Sequence, residues 1–285
     1  MKTVFLNGEY LKEDEAKVSI FDRGFVFGDG VYEVVPVVAS TVLDKEPFFE
    51  RFERSLGELE LQWPLSKDEF LVMIDELIKR NDLKEGGVYM QVTRGVAPRD
   101  FGYPKDIKPT VMAFTFAKEI INSPKAKSGV KVVTVDDIRW KRRDIKSIAL
   151  LGQCMAKEQA VKKGAYEGWM VEDGFVTEGT ASSAYIVKDG KIITRPLSNS
   201  ILSGIRRKLL IELAKEHGVE LEQRLFTVDE ALKADEAFLS SATTFVLPIV
   251  EIDRKQIGDG KPGPIAKKMR QMYIDSALKI AGVEL

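Results

Sequence analysis

The sequence predicts a mixed α/β (α+β) fold built as two domains, on three observations. Candidate strands and helices are interspersed without strict βαβ alternation, and no internal repeat runs along the chain. A polar stretch from Lys118 to Gly129, containing Pro124 and Ser128, interrupts the patterned segments. A chain of 285 residues is long enough for one large domain or two smaller ones. The expected division is an N-terminal α+β domain over 1–118, a linker over 119–128 and a C-terminal domain over 129–285.

The elements are read in chain order. Val4-Phe5-Leu6 and Tyr10-Leu11 form a hairpin turning at Asn7-Gly8, a pair that accepts the positive φ of a type I′ turn. Val31 to Ala39 is β-branched and apolar on both faces, which predicts a central strand. Phe48, Phe52, Leu56 and Leu59 recur at helical spacing, and Ser66 with Glu69 makes a capping box that opens a helix running to about Arg80. Val88 to Arg94 and Val111 to Ala117 are further strands.

The second half opens on a strand from Val130 to Val135, followed by a helix over roughly Leu150 to Lys163. Hairpins turn at Asp173-Gly174 and Asp189-Gly190. Ser203 is expected to cap a helix that runs to His217 and stops at Gly218. Thr227 and Glu230 form a second capping box, Ala237 to Ser240 is a strand leading into Ser241-Ala242-Thr243-Thr244, and the last helix starts near Pro264.

Composition removes several function classes. Lys plus Arg is 43 and Asp plus Glu is 44, so the net charge of −1 gives no basic excess for nucleic acid, and Lys141-Arg142-Arg143 is too short a basic run. The single cysteine, Cys154, excludes an intrachain disulfide; its apolar flanks predict a buried helix position. The single histidine, His217, excludes a multi-histidine metal site, and no metal is expected. No apolar run reaches the roughly 18 residues of a membrane span. Met1 to Tyr10 lacks the order of a signal peptide, so the expected setting is cytoplasmic.

Lysine and carboxylate chemistry remains. Lys146 lies in the apolar run Ile145-Lys146-Ser147-Ile148-Ala149-Leu150. Such an amine either reaches out to water or is consumed in a Schiff base to a carbonyl cofactor. Glu178 precedes the small residues Gly179-Thr180-Ala181-Ser182-Ser183, which allow a flat ligand close to the backbone; it either pairs with a protonated heteroaromatic nitrogen or faces solvent in a turn. Ser203-Gly204-Ile205-Arg206 at a helix start and the hydroxyl-rich Ser241 to Thr244 bend are two candidate phosphate cradles, or simple caps and turns. Arg51 borders the Phe48/Phe52/Leu56 stripe and points either inward to a phosphate or outward. Gly28-Asp29-Gly30 is not followed by a helix and so is not a dinucleotide fingerprint.

The ordered motifs Asp22-Arg23-Gly24, Gly28-Asp29-Gly30-Val31-Tyr32-Glu33, Gln91-Val92-Thr93-Arg94-Gly95, Asp137-Ile138-Arg139-Trp140, Asp144-Ile145-Lys146-Ser147, Val176-Thr177-Glu178-Gly179 and Ile201-Leu202-Ser203-Gly204-Ile205 together resemble the fold-type IV pyridoxal 5′-phosphate (PLP) enzymes. That class holds D-amino acid and branched-chain aminotransferases, (R)-selective amine transaminases and aminodeoxychorismate lyase. The likeness runs from about Phe5 to Ala277 and is strongest to the bacterial D-amino acid aminotransferases.

The resemblance implies a two-domain fold with PLP in the interdomain cleft. Lys146 would carry the cofactor and shuttle the proton, and Glu178 would keep the pyridine nitrogen protonated. Arg51, the backbone of Ile205 and Arg206, and Ser241 with Ala242 would hold the phosphate, while Leu202 packs on the ring. Tyr32, Arg99, Phe101 and Thr243 would face the substrate. In that family the arginine corresponding to Arg99 arrives from the partner subunit, which implies a homodimer. The implied reaction is ping-pong transfer of an amino group from a D-amino acid of the D-alanine type to pyruvate or 2-oxoglutarate. The alternatives are an (R)-amine or branched-chain donor, or lyase chemistry.

Three positions depart from the family pattern. Phe101 stands where the D-amino acid enzymes place a histidine, which weakens the expected trap for a substrate carboxylate. Ser183 replaces a frequent asparagine, and Arg206 replaces a common threonine at the phosphate helix.

Overall fold

The computed structural model describes residues 2–283. Its contacts divide the described residues into two compact units, one of residues 2–119, 145–150 and 278–283, the other of Ile120–Asp144 and Leu151–Ala277. The short passage that carries Lys146 therefore packs with the first unit. The polar stretch after residue 118 contains one short helix, α4 (Pro124–Ser128).

The first unit is built on an antiparallel sheet. Its strands are β1 (Thr3–Leu6), β2 (Glu9–Lys12), β3 (Gly30–Val38), β4 (Thr41–Val42), β5 (Gly86–Thr93) and β6 (Thr110–Ala117), in the order β2-β1-β6-β5-β3-β4. Asn7 and Gly8 both take positive φ, 51° and 100°, as the predicted hairpin requires. Strand β3 pairs with β5 from Gly30↔Thr93 to Val37↔Gly86. The period-2 alternation of a strand sends Val31, Glu33, Val35 and Val37 to a buried face and leaves Tyr32 and Val34 half-buried on the other. That single register step separates the two polar side chains that matter here, Tyr32 and Glu33.

Helix α1 (Arg23–Phe27) is capped by Asp22, whose carboxylate accepts the Gly24 N–H at 2.8 Å. Helices α2 (Lys45–Glu58) and α3 (Lys67–Arg80) bury Phe48, Phe52, Leu56, Phe70 and Ile74. Phe52 meets Phe70 edge-on at 5.4 Å, and Trp63 meets Phe52 at 5.2 Å. Ser66 forms the predicted capping box with Glu69.

The second unit holds a mixed sheet of nine strands: β7 (Val130–Asp136), β8 (Glu167–Glu172), β9 (Phe175–Gly179), β10 (Ser183–Lys188), β11 (Lys191–Thr194), β12 (Leu221–Gln223), β13 (Glu236–Ser241), β14 (Phe245–Ile252) and β15 (Lys255–Gln256). The order is β12-β11-β10-β13-β14-β7-β8-β9, with β15 beside β14. Strand β7 runs parallel to both neighbours and buries both faces. Val130 and Val132 enter the main core with Trp169, Val176, Phe226 and Leu247, whereas Val133 and Val135 pack with Ala156 and Ala160 of α5 (Leu151–Lys162). The remaining helices are α6 (Ile205–Glu216), α7 (Val228–Leu232) and α8 (Pro264–Ile280). Thr227 caps α7 through the predicted box.

Two local expectations are corrected. Cys154 lies on α5 as expected but is exposed. The buried positions of that helix are Ala156 and Ala160, one turn apart, and Cys154 projects from a different side. The N-cap of α6 is Gly204, one residue after the expected Ser203.

Candidate functional site

The chemistry-bearing side chains gather in one group in each unit. In the first unit the segment Ile145–Leu150 runs along the edge of β3 that β5 leaves open. Tyr32 N–H donates to the Lys146 carbonyl at 3.0 Å, Ile148 N–H donates to the Gly30 carbonyl at 3.0 Å, and Val31 bridges Ser147. Lys146 N–H donates to Ser55 Oγ of α2 at 3.3 Å. With the main chain held at three points, the side chain is aimed: Nζ stands 4.0 Å over the centre of the Tyr32 ring. Among the described residues this amine has no carboxylate partner. A cation–π contact at a half-buried site is worth only about 0.5–2 kcal/mol, so the nitrogen is not committed to a strong ion pair. Tyr32 stacks in turn on Tyr89 at 5.6 Å, and Tyr89 on Phe114 at 4.8 Å. Burial, with the nearby Tyr32, pushes the Tyr89 phenol up, so it stays protonated and donates to Gln91 Oε1 at 2.7 Å.

Of the two orientations the sequence left open, Arg51 takes the inward one, buried on α2. It makes a two-armed pair with Glu33: Nε to Oε1 and Nη2 to Oε2, both at 2.7 Å, with Glu33 fully buried. Sequence inspection gave Glu33 no role, although its place on the buried face of β3 follows from strand alternation. Arg99 and Phe101 stand apart in an exposed loop, with the Arg99 guanidinium 5.6 Å from the Phe27 ring and 5.4 Å from the Phe101 ring. No hydrogen bond, ion pair or ring contact joins either residue to Lys146 or Tyr32 among the described residues. The loop is held from below. Arg23 donates to the Asp100 carbonyl at 2.5 Å, while Arg23 and Arg94 share Asp29 at 2.7 and 2.8 Å.

In the second unit Glu178 sits on β9, buried. Its Oε1 accepts Arg139 Nη1 at 2.5 Å, and the Leu202 N–H lies 3.2 Å from both oxygens. Burial pushes the Glu178 carboxyl above its ordinary value, opposed by the Arg139 guanidinium and the Leu202 N–H. Arg139 is clamped by Asp137, Nε to Oδ1 at 2.9 Å and Nη2 to Oδ2 at 2.7 Å. Asp137 also accepts the Thr177 hydroxyl at 2.7 Å and lies 3.2 Å from Arg143, which forks onto Glu172 at 2.8 Å on each arm. Burial raises the Asp137 carboxyl, but Arg139, Thr177 and Arg143 outweigh it and hold the group below the usual carboxylate range. The motif Asp137-Ile138-Arg139 was visible in the sequence. Its alternation puts both charged side chains on one side, which is the signal that could have found them. Arg142 turns away to Asp144.

The two backbone candidates for a phosphate lie in the same unit, whereas Arg51 belongs to the first. Ile205 and Arg206 begin α6, which has no acidic residue in its first turn and no side-chain cap. The first turn carries Arg206 and Arg207 instead, against the helix dipole, so the helix N-terminus and the local charge both favour an anion. Arg206 Nη1 donates to Tyr273 Oη at 2.6 Å, and the Tyr273 ring meets Phe245 edge-on at 4.5 Å. Phe245 follows the turn of Ser241, Ala242, Thr243 and Thr244. There Ser241 Oγ lies 2.7 Å from Thr244 Oγ1, and Arg270 donates to the Thr244 carbonyl at 2.8 Å. Helix α8 thus supplies Tyr273 and Arg270 to join both candidate segments. In the first unit, an amine without a carboxylate partner suits an aldehyde; in the second, a buried carboxylate able to meet a protonated ring nitrogen and a basic helix start suit a flat heteroaromatic phosphate.

The family model for amino-transferase class IV matches residues 30–252. A D-alanine aminotransferase from Staphylococcus haemolyticus is 41% identical, covering 97% of this chain and 99% of the relative. One from Bacillus licheniformis is 39% identical, covering 98% of each. The branched-chain amino acid aminotransferase of Escherichia coli superposes with a TM-score of 0.90 at 24% identity, covering 96% of this chain and 94% of the other, a likeness of fold. The branched-chain aminotransferase of Thermoproteus uzoniensis does so at 0.85 and 26%, covering 99% and 96%.

Proposed function

The chain belongs to the class IV aminotransferases, and from that premise we propose that it transfers the amino group of a D-amino acid such as D-alanine to a small 2-keto acid, by a ping-pong mechanism on PLP. The near-full-length likeness to D-alanine aminotransferases supports the donor. The observation that carries the chemistry is Lys146 Nζ, held over Tyr32 without a carboxylate.

When bound, PLP supplies an electron-accepting ring that stabilises negative charge at the substrate Cα. Lys146 Nζ would hold the cofactor through its carbonyl carbon and, as a free amine, would serve as the base and acid that moves the substrate Cα proton. Glu178 keeps the ring nitrogen cationic, because a carboxylate beside it favours the protonated form. Leu202 packs on the ring. Backbone N–H groups of Ile205 and Arg206, with Ser241, Ala242 and Arg51, hold the phosphate. Tyr32, Thr243, Arg99 and Phe101 face the substrate, the last two from a partner subunit of a homodimer. No helix of the described residues is long and apolar enough to cross a membrane, and a cytoplasmic setting belongs to the same proposal.

The test is an absorbance spectrum of the purified protein before and after D-alanine, followed by a donor panel. A visible cofactor band that shifts on adding D-alanine, together with loss of band and turnover in Lys146→Ala, is the expected result. Transfer only from L-leucine or (R)-1-phenylethylamine moves the donor assignment, and Phe101 is the residue to blame. Pyruvate release without an acceptor marks a lyase. Full turnover by Lys146→Ala overturns the mechanism.

A further inference from the structure

Arg139 has three hydrogen-bonding arms in use, and their allocation is unequal. Two go to Asp137, whose carboxylate is itself fully buried, and one goes to Glu178 Oε1. The first pair fixes the plane of the guanidinium, so the third arm reaches Glu178 from one direction only. Oε1 is taken by this contact, while the one donor to Oε2 among the described residues is the Leu202 N–H, at 3.2 Å. Oε1 thus takes a guanidinium arm and a share of the Leu202 N–H, whereas Oε2 takes only its share of that N–H.

Charge leads the same way. The connected side chains are three carboxylates, Asp137, Glu172 and Glu178, and two guanidiniums, Arg139 and Arg143. Arg143 is spent on Glu172 and Asp137, and Arg139 is shared by Asp137 and Glu178. Arg195 stands close enough to feel these carboxylates but donates to the Val176 carbonyl, so Glu178 shares its one bonded guanidinium with Asp137. Burial alone drives a carboxylate to protonate, and a protonated Glu178 would present a donor to a ring nitrogen that must itself donate.

We propose that Arg139, locked by Asp137, is a positioning residue that holds Glu178 as a carboxylate with Oε2 presented to the protonated ring nitrogen of the cofactor. The inference rests on the PLP assignment above. Arg139 touches neither substrate nor cofactor in this role; it acts through Glu178.

The test uses full-length protein loaded with ring-15N-labelled PLP. Wild type, Arg139→Met and Arg139→Lys are compared by the 15N shift of the ring nitrogen and by cofactor Kd from absorbance titration. In wild type the shift reports a protonated nitrogen. Arg139→Met is expected to move it toward the unprotonated value and weaken Kd by at least about tenfold, in line with the loss of one charge-assisted hydrogen bond. Arg139→Lys keeps the charge without the fork and is expected to fall between. Should Arg139→Met not fold by circular dichroism, Asp137→Asn serves as the second variant. It frees the guanidinium and is expected to move the 15N shift in the same direction. A folded Arg139→Met, or a folded Asp137→Asn in its place, with wild-type shift and Kd overturns the inference alone. Wild-type protein that takes up no PLP overturns the proposed function and this inference with it.

Discussion

At the scale of single residues, the two buried charge clusters behave differently when broken. Glu33 is fully buried, with both its oxygens on Arg51. Arg51→Met leaves that carboxylate uncompensated and is expected to cost roughly 3–5 kcal/mol of unfolding free energy, read as a fall in urea midpoint for protein without added cofactor. Glu33→Gln combined with Arg51→Met should recover part of the loss, because no charge then remains. The Asp137 cluster adds a pH signature. The Asp137 carboxyl is lowered from its ordinary 3.8 on folding, so its ionised form stabilises the fold. That contribution is complete above 3.8 and fades as pH drops through the folded value. Glu178 runs the other way. Its carboxyl is raised above 4.5, so the ionised form is penalised at high pH and the penalty is gone below 4.5. Asp137→Asn should therefore destabilise the cofactor-free protein at neutral pH, with the difference shrinking below pH 3.8. Glu178→Gln should show its largest stability gain at neutral pH and none in acid. Equal differences at pH 7 and in acid for both variants would contradict these directions.

At the scale of elements, local chemistry that closes on itself was legible. The capping boxes at Ser66 and Thr227 formed as written, because each needs only residues three apart. Ser66→Ala should lower stability by about 1 kcal/mol with little change in catalysis, measurable as a small fall in thermal midpoint. The hairpin turns at Asp173-Gly174 and Asp189-Gly190 were legible for the same reason; Asp173 and Asp189 take φ of 53° and 49°. What failed depended on neighbours distant in the chain. The apolar flanks of Cys154 suggested burial, but which side of α5 is covered is decided by Val133 and Val135 of β7, and these select Ala156 and Ala160. Ser203 looked like the N-cap, yet that position falls to Gly204, which has no side chain to offer. That departure from good helix design falls where an anion is expected, and sites are where local rules are broken in favour of a ligand. The pairing partners of Arg51 and Glu178 were illegible for a further reason. Glu33 and Arg139 reach them across β3 and from the end of β7, and no short motif encodes such contacts.

At the scale of the whole molecule, the mixed two-part fold and the family were legible because ordered motifs run along most of the chain. The passage Ile145–Leu150 belongs by contacts to the first unit although residues on both sides of it belong to the second. Linear sequence assigned it with its neighbours. The same scale frames the proposed homodimer. Ile20, Phe25 and Phe101 are 70–77% exposed, and Phe21, Val96 and Tyr103 are about half exposed. They are not scattered. Asp22 bridges Val96, Ala97 N–H donates to the Phe21 carbonyl, and Arg23 faces the rings of both Phe27 and Tyr103. Phe27 in turn meets Phe101 at 5.5 Å. Contiguous apolar surface of this kind is rarely left to water on a lone subunit. It surrounds the loop of Arg99, the residue proposed to act in a partner's site. Sedimentation equilibrium should therefore return twice the 31.9 kDa chain mass. Ile20→Glu with Phe25→Glu should drive the protein to monomer and remove most turnover, while Lys146 and its surroundings stay intact by circular dichroism and cofactor absorbance. A monomeric wild type with undiminished turnover would show that the site needs no second copy and that Arg99 plays no part in it.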